Sequence, residues 1–180
     1  MASELSAPAD GMGGRRPRKL GLKEDWASLP FLLIVMAGWV VAAYDFWKLQ
    51  GLRIQLNAWT VTGVLLLVFG GALRLTSRRT LMKAGFGFVS SSRLQIVEDQ
   101  RLVTDGVYTY IRHPLYLGEM ARNLGFSLLL SSAYGSVIVL LGNLFLLFRI
   151  PIEEEMLVKE FGEEYEAYRK RTKKIIPYIY

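Results

Sequence analysis

The sequence has no cysteine and only one histidine, His113. The missing cysteines exclude disulfides, thiolate zinc sites, iron–sulfur clusters and a cysteine nucleophile. A single imidazole excludes a histidine-rich metal centre, so we predict no metal site. Any chemistry must therefore use carboxylates, arginine, lysine, tyrosine, backbone groups or a bound cofactor.

The first 24 residues lack a long apolar run and are rich in small residues, glycine and proline. This composition predicts a disordered tail over residues 1–24 with no cleaved signal peptide. The basic stretch "GGRRPRKL" is typical of a cytoplasmic flank before a membrane helix. We therefore expect no nucleic-acid partner, although the net charge is +6.

Hydrophobic residues make up 52% of the chain and are concentrated in four blocks. Soluble domains are usually about 45–50% apolar, and a spanning helix needs about 20 mainly apolar residues. The blocks predict an all-α integral membrane protein with about four transmembrane helices in a single domain over residues 25–180. The predicted spans are 29–47, 56–74, 115–131 and 136–150, the last two forming a helical hairpin that turns at 131–136.

The basic residues are distributed unevenly around these blocks. Most of the 22 Lys and Arg residues fall in the tail, the loop 76–113 and the segment after residue 148, whereas the turn 131–136 carries no charge. This bias predicts a multi-pass protein with both termini in the cytoplasm, in the cytoplasmic membrane if the source is prokaryotic. The basic flanks are expected to contact anionic membrane lipids.

Two segments outside the blocks have patterns of their own. The central loop contains "RLQIVEDQRLV", which predicts a short irregular or hairpin segment. After the fourth block, Pro151 can occupy the first position of a helix, with acidic residues in its first turn and basic residues at its far end. Apolar side chains recur there at helical spacing, so we predict a cytoplasmic amphipathic helix over about 151–172.

His113 lies directly before Pro114, which restricts its backbone to non-helical conformations. A lone histidine is commonly a structural hydrogen-bonding group, but this one is held where the third helix begins. Gly118 follows one turn later. It allows either close helix–helix packing or the close approach of a ligand to the backbone.

Charged residues near the third and fourth blocks are the other candidates. Arg149 ends a membrane helix and Glu153 follows four residues later, a pattern that suits either a snorkelling arginine or a site for an anionic group. Glu119 and Arg122 are one helical turn apart and are expected to neutralise each other.

The ordered motifs "RLVTDGVYTYIRHPLYLG" and "FRIPIEEEMLVKEFGEEYEAYRKRTKKIIP" resemble the isoprenylcysteine carboxyl methyltransferase family and, more loosely, membrane phospholipid methyltransferases. The resemblance covers about residues 101–177. It includes an Arg-His-Pro-x-Tyr-x-Gly segment from Arg112 to Gly118, a Glu-Glu pair at Glu153–Glu154 and a Phe-Gly-x-Glu-Tyr segment that starts at Phe161. The N-terminal half resembles the family only in having two predicted spans.

The resemblance implies S-adenosylmethionine as cofactor, bound at the cytoplasmic face. It implies Arg149 and Glu153 as the pair at the methyl-accepting site. The residues that the resemblance places around the cofactor are Leu102, Val103, Gly106, Tyr108, His113, Pro114, Tyr116, Gly118 and Glu154.

The expected function is S-adenosylmethionine-dependent transfer of a methyl group to a lipophilic acceptor from the bilayer, such as the carboxylate of a prenylcysteine-type group. A carboxylate acceptor needs no base, whereas a phospholipid amine needs one, for which Glu153 is the candidate. The alternatives are a phospholipid amine N-methyltransferase, a non-enzymatic membrane scaffold and, last, a sterol reductase. The sequence does not assign the oligomeric state.

Overall fold

The computed structural model describes residues 25–84 and 101–176, together with two short strands, β1 (Arg18–Lys19) and β2 (Gln95–Ile96). Five α-helices account for most of the described chain. They are α1 (Ser28–Lys48), α2 (Ala58–Lys83), α3 (Pro114–Leu129), α4 (Ala133–Phe161) and α5 (Glu163–Arg171). A 3₁₀ turn, Gly106–Thr109, precedes α3.

Helices α2 and α3 pack antiparallel through glycines spaced seven residues apart on each helix. A Cβ atom added to Gly63 would lie 2.8 Å from the Gly125 carbonyl oxygen, and one added to Gly70 would lie 2.5 Å from the Gly118 carbonyl oxygen. No side chain fits at such distances, so the two backbones touch directly. Small residues at helix contacts are what association in lipid requires, because lipid provides no hydrophobic driving force between helices.

Helices α1 and α4 pack in the same manner. A Cβ added to Gly135 would lie 2.8 Å from both the Ala42 Cβ and the Gly38 carbonyl oxygen, and one added to Gly142 would lie 2.8 Å from Val35 Cγ2. The bundle is therefore built from two close antiparallel pairs, α1 with α4 and α2 with α3. The pairs are joined by the contact of α3 with α4.

The large apolar side chains of α1, α2 and α4 mostly point outward. The interior contains small and polar side chains together with Val139, Leu146 and Ile150 of α4. This arrangement is expected of a bundle surrounded by lipid. Among the described residues, three helices are long and apolar enough to cross a membrane: α1, α2 and α4. The predicted all-helical membrane architecture is confirmed at this level.

The end of the bundle away from Pro114 is closed by polar caps. Asn57 caps α2 by accepting a hydrogen bond from the Thr60 amide at 2.9 Å. Ser132 caps α4 by accepting one from the Gly135 amide at 2.9 Å, and its hydroxyl donates to Asp45 Oδ2 at 2.5 Å. The α3–α4 turn is thereby fixed to the end of α1.

The C-terminal helical region differs from its predicted boundaries. Helix α4 continues through Pro151 to Phe161 instead of restarting at the proline, although Pro151 has no amide hydrogen for the Leu147 carbonyl. Buried contacts of Arg149 and Glu154, on either side of the proline, hold the two parts in line. The helix ends instead at Phe161, and the following Gly162, which has a φ of 53°, separates α4 from α5.

Helix α5 then has acidic residues in its first turn and basic residues in its last turn. The acidic residues that follow Pro151, which were predicted to begin a helix, lie within α4. In the central loop, β2 pairs antiparallel with β1. The rest of the predicted hairpin and most of the predicted disordered tail lie outside the described residues.

Candidate functional site

The segment that leads into α3 is fixed to the C-terminal segment by backbone hydrogen bonds. The amide of Arg112 donates to the Lys173 carbonyl at 2.8 Å, and the amide of His113 donates to the Lys174 carbonyl at 2.9 Å. The Tyr168 hydroxyl donates to the Tyr108 carbonyl at 2.7 Å. The loop, α5 and the chain after it therefore form one layer at this end of the bundle.

His113 lies between two carboxylates from α4. Its Nδ1 is 3.4 Å from Glu153 Oε2, and its Nε2 is 3.4 Å from Glu154 Oε1. Its backbone is outside the helical region, with φ −121° and ψ 55°, as the following proline predicts. Burial by itself lowers the pKa of His113, but hydrogen bonds and charge from Glu153 and Glu154 outweigh it, so the net pKa is raised.

Arg112 connects Glu154 to the end of α5. Its Nε donates to Glu154 Oε1 at 2.8 Å, and its Nη1 donates to the carbonyls of Thr172 at 2.5 Å and Arg169 at 3.1 Å. The two side chains of this ion pair are 6% and 8% exposed. The arginine of the motif thus fixes one of the glutamates that face His113.

Arg149 contacts a residue that the sequence analysis did not single out. Its Nη2 donates to Asp25 Oδ2 at 2.8 Å, and its guanidinium carbon lies 5.6 Å from the centre of the Tyr116 ring. The Tyr116 ring is also stacked on His113, with centroids 5.6 Å apart and planes 9° apart. Arg149, Tyr116 and His113 therefore form a continuous row, with Glu153 bonded to the histidine.

The other residues predicted around the cofactor lie in the segment before α3 or in its first turns. Leu102 and Val103 are half-buried, and Tyr108 and Pro114 are buried. Gly106 has a φ of 61°, and a Cβ there would lie 3.1 Å from Thr80 Oγ1.

Gly118 faces α2 rather than the glutamates. A Cβ added to it would lie 2.9 Å from Arg74 Cγ. Close helix packing, one of the two roles that the sequence left open for Gly118, therefore describes its contact. Glu119 forms an ion pair with Arg122, as expected from their spacing, and a second ion pair with Arg74.

His113, Glu153 and Glu154 form a charged cluster. A cavity of about 360 Å³ lies beside it. Its lining residues are Thr104, Thr109, Tyr168, Arg171 and Thr172. None of the residues predicted to bind the cofactor lines this cavity. Two of the lining residues, Tyr168 and Thr172, contact the loop through Tyr108 and Arg112.

At this end of the bundle, several buried polar side-chain atoms have no hydrogen-bond partner among residues 25–84 and 101–176. They are Tyr165 Oη, Arg149 Nε, Asp25 Oδ1 and Ser28 Oγ. Tyr165 is 1% exposed. Buried polar atoms are normally satisfied, so unsatisfied ones beside a charged cluster fit a site that binds a polar ligand.

The fold and the site together define a class: a polytopic helical membrane protein with a buried charged cluster at one end of its bundle. The sequence profile of the "Isoprenylcysteine carboxyl methyltransferase (ICMT) family" matches residues 63–159. The chain belongs to this family, and the resemblance drawn from its motifs is confirmed.

Individual relatives agree with this assignment. The protein-S-isoprenylcysteine O-methyltransferase of Mus musculus is 31% identical over 157 residues, which cover 84% of this chain and 53% of the mouse protein. The Schizosaccharomyces pombe enzyme of that name is 38% identical over 100 residues, or 55% of this chain and 42% of the yeast protein. The chain therefore spans about half the length of the curated relatives it matches.

A solved structure is similar along most of the chain. It is that of a eukaryotic intramembrane Ras methyltransferase of the same family, with a TM-score of 0.66 and 28% sequence identity. The match covers 84% of this chain and 53% of the solved one. The family profile, which begins at residue 63, does not reach α1.

Proposed function

We propose that this chain is an integral-membrane methyltransferase that uses S-adenosylmethionine to methylate the carboxylate of a lipophilic acceptor, such as a prenylcysteine-type group. The observation that carries the proposal is the contact of His113 with both Glu153 and Glu154. This contact joins the two halves of the family motif at one end of the bundle. Membership of the family and the O-methyltransferase activity in the relatives' names support the reaction class.

We further propose that α3 crosses the membrane with α1, α2 and α4, giving four spans with both termini in the cytoplasm. Helix α3 has 16 residues. It reaches only about 24 Å, short of the ~30 Å hydrocarbon core. Its close packing along α2 and its short turn into α4 support a spanning role, and the distribution of basic residues supports the orientation.

In this orientation the cluster lies at the cytoplasmic interface. A polar nucleoside reaches it from water, and a lipid acceptor reaches it from between the helices. Eight of the nine residues named above remain our assignment as cofactor contacts, while Gly118 supports the site through its packing against α2. Tyr165 is added because its buried hydroxyl has no hydrogen-bond partner among the described residues. The carboxylates of Glu153 and Glu154 suit the cationic sulfonium and amino groups of the cofactor.

The cofactor, when bound, supplies an electrophilic methyl group on a sulfonium sulfur. An acceptor carboxylate is already ionised at neutral pH, so the reaction needs no base. The oxygen–carbon bond forms as the carbon–sulfur bond breaks, leaving a methyl ester and a neutral thioether. The protein must align the two groups and exclude water, and such positioning contributes up to ~7–11 kcal/mol at the extreme.

Arg149 and Glu153 are the catalytic residues in this proposal. Arg149 holds the acceptor carboxylate by a charge-assisted hydrogen bond. The two side chains have different partners: Glu153 bonds to His113 at 3.4 Å, while Asp25 bonds to Arg149. We therefore assign Glu153 to the cofactor side of the reacting groups and Arg149 to the acceptor side.

The test is methyl transfer by the purified protein in phospholipid vesicles. Protein, S-adenosylmethionine with a labelled methyl group and N-acetyl-S-farnesylcysteine are incubated together, and the labelled product is treated with base. The proposal predicts saturable formation of a base-labile methyl ester. Arg149→Gln should reduce the rate by at least a hundredfold if this contact aligns the acceptor.

The methyl ester of N-acetyl-S-farnesylcysteine is the matched control, because it keeps the lipid and lacks the free carboxylate. It should accept no label. Base-stable label on phosphatidylethanolamine from the vesicles would favour the amine methyltransferase and contradict the carboxylate proposal. The absence of any labelled product with wild-type protein would contradict both.

A further inference from the structure

Asp25 belongs to no part of the family motif and lies outside the matched profile, yet it is the carboxylate bonded to Arg149. Its Oδ2 lies 2.8 Å from Arg149 Nη2. The side chains of Arg149 and Asp25 are 10% and 18% exposed. An ion pair this sheltered fixes the geometry of both groups more firmly than a surface pair does.

The short segment before α1 is held against α4 by aromatic side chains. The Trp26 ring lies 6.3 Å from that of Phe145 and 5.9 Å from that of Phe148. Ala27, the next residue, is fully buried. Asp25 is therefore held in place beside Arg149 by the packing of its neighbours and not only by its own charge.

The contact uses only part of the hydrogen-bonding capacity of the two groups. Arg149 Nε and Asp25 Oδ1 are both buried without a partner among the residues that the structure describes. An arginine and a carboxylate that serve only each other usually form two parallel hydrogen bonds. Here the guanidinium is held through one nitrogen and over the Tyr116 ring, which leaves the Nε–H available for another anion.

We propose that Asp25 is a positioning residue that holds the Arg149 guanidinium so that its Nε–H can bind the carboxylate of the methyl acceptor. This proposal rests on the proposed function and adds the residue that sets the orientation of its arginine. Loss of the Asp25 charge should leave the attraction of Arg149 for an anionic acceptor intact. The acceptor would be bound but poorly aligned, so kcat should fall while KM should not rise.

The experiment uses the full chain in vesicles, with N-acetyl-S-farnesylcysteine as acceptor and rates expressed per folded molecule. Asp25→Asn should lower kcat by about tenfold or more without raising the acceptor KM, because small misplacements of reacting groups cost up to about a hundredfold. Asp25→Glu should recover part of kcat. Asp45→Asn is the matched control, since Asp45 is the buried carboxylate at the opposite end of α1 and bonds to Ser132.

An unchanged kcat in Asp25→Asn would overturn the proposal. So would a loss that Asp45→Asn reproduces, because such a loss would reflect helix stability alone. If the wild-type protein methylates no carboxylate, the proposed function fails, and a double-mutant cycle of Asp25→Asn and Arg149→Gln in unfolding then decides whether Asp25 holds Arg149. Additive effects in that cycle would overturn the role of Asp25, and coupled effects would support it.

Discussion

Arg112 Nε lies 2.8 Å from Glu154 Oε1, although 42 residues separate them in the chain. The same glutamate oxygen lies 3.4 Å from His113 Nε2. One carboxylate from α4 thus contacts both the arginine and the histidine of the Arg-His-Pro segment. This joins the start of α3 to the far half of α4.

The first prediction concerns this shared carboxylate. Glu154→Gln should destabilise the folded protein by roughly 3–5 kcal/mol, because it leaves the buried Arg112 without its countercharge. The measurement is the unfolding free energy in detergent micelles. Glu155→Gln is the control, since Glu155 is exposed and bonds to Lys159 on the surface. Equal stability of the two variants would contradict the prediction.

The second prediction concerns the protonation of His113. Because it is the only histidine, ¹³C-labelled histidine gives one imidazole signal in protein without a histidine tag. The facing carboxylates outweigh burial and raise the pKa of His113, so its midpoint should lie above the usual ~6.5. Glu153→Gln should lower the midpoint. A wild-type midpoint below 6.5 would show that burial dominates.

The third prediction follows from the sign of that shift. A folded-state pKa above the unfolded value means that the His113 contribution to stability is fully present below about pH 6.5. It is lost as pH rises through the folded pKa. The stability difference between wild type and His113→Gln should therefore shrink from about pH 6.5 upward. A difference that grows over this range would contradict the assignment.

The fourth prediction tests the helix contact with two adjacent glycines. A Cβ at Gly70 would lie 2.5 Å from the Gly118 carbonyl oxygen, whereas a Cβ at Gly71 has nothing within 4 Å. Gly70→Ala should cost about 1–3 kcal/mol in unfolding free energy, because α2 and α3 must move apart. Gly71→Ala should be neutral or slightly stabilising, since alanine favours helix more than glycine. Similar losses in both variants would contradict direct backbone contact at Gly70.

The fifth prediction compares two buried tyrosines. The Tyr168 hydroxyl donates to the Tyr108 carbonyl at 2.7 Å, while the Tyr165 hydroxyl has no partner in the part of the chain that the structure describes. Tyr168→Phe should lower stability by about 1 kcal/mol. Tyr165→Phe should not, but it should weaken S-adenosylmethionine binding severalfold. A loss of stability in Tyr165→Phe with unchanged binding would remove Tyr165 from the proposed site.

Much of the architecture could be predicted from local pattern. The apolar blocks locate α1, α2 and α4, although the block predicted as span 136–150 is much shorter than the helix that contains it. Pro114 sets both the start of α3 and the backbone of His113. The family resemblance, and not a local pattern, implied that the start of α3 and Glu154 of α4 lie around one cofactor. The structure places His113 in contact with both Glu153 and Glu154.

Other features depend on contacts that no local pattern contains. Asp25 and Arg149 are 124 residues apart, and they meet only because α1 and α4 pack antiparallel. Pro151 is a strong local signal for a helix start, but buried contacts on both sides keep α4 continuous. Gly118 fits either a ligand or a helix contact by sequence, and only the position of α2 distinguishes them.

The most direct test of the central claim is calorimetric titration of S-adenosylmethionine into the purified protein in micelles. We expect one saturable site in wild type and in Glu155→Gln, and binding at least tenfold weaker in Glu154→Gln. No binding to the wild type, or equal affinity in all three proteins, would contradict a cofactor site at the cluster of His113, Glu153 and Glu154.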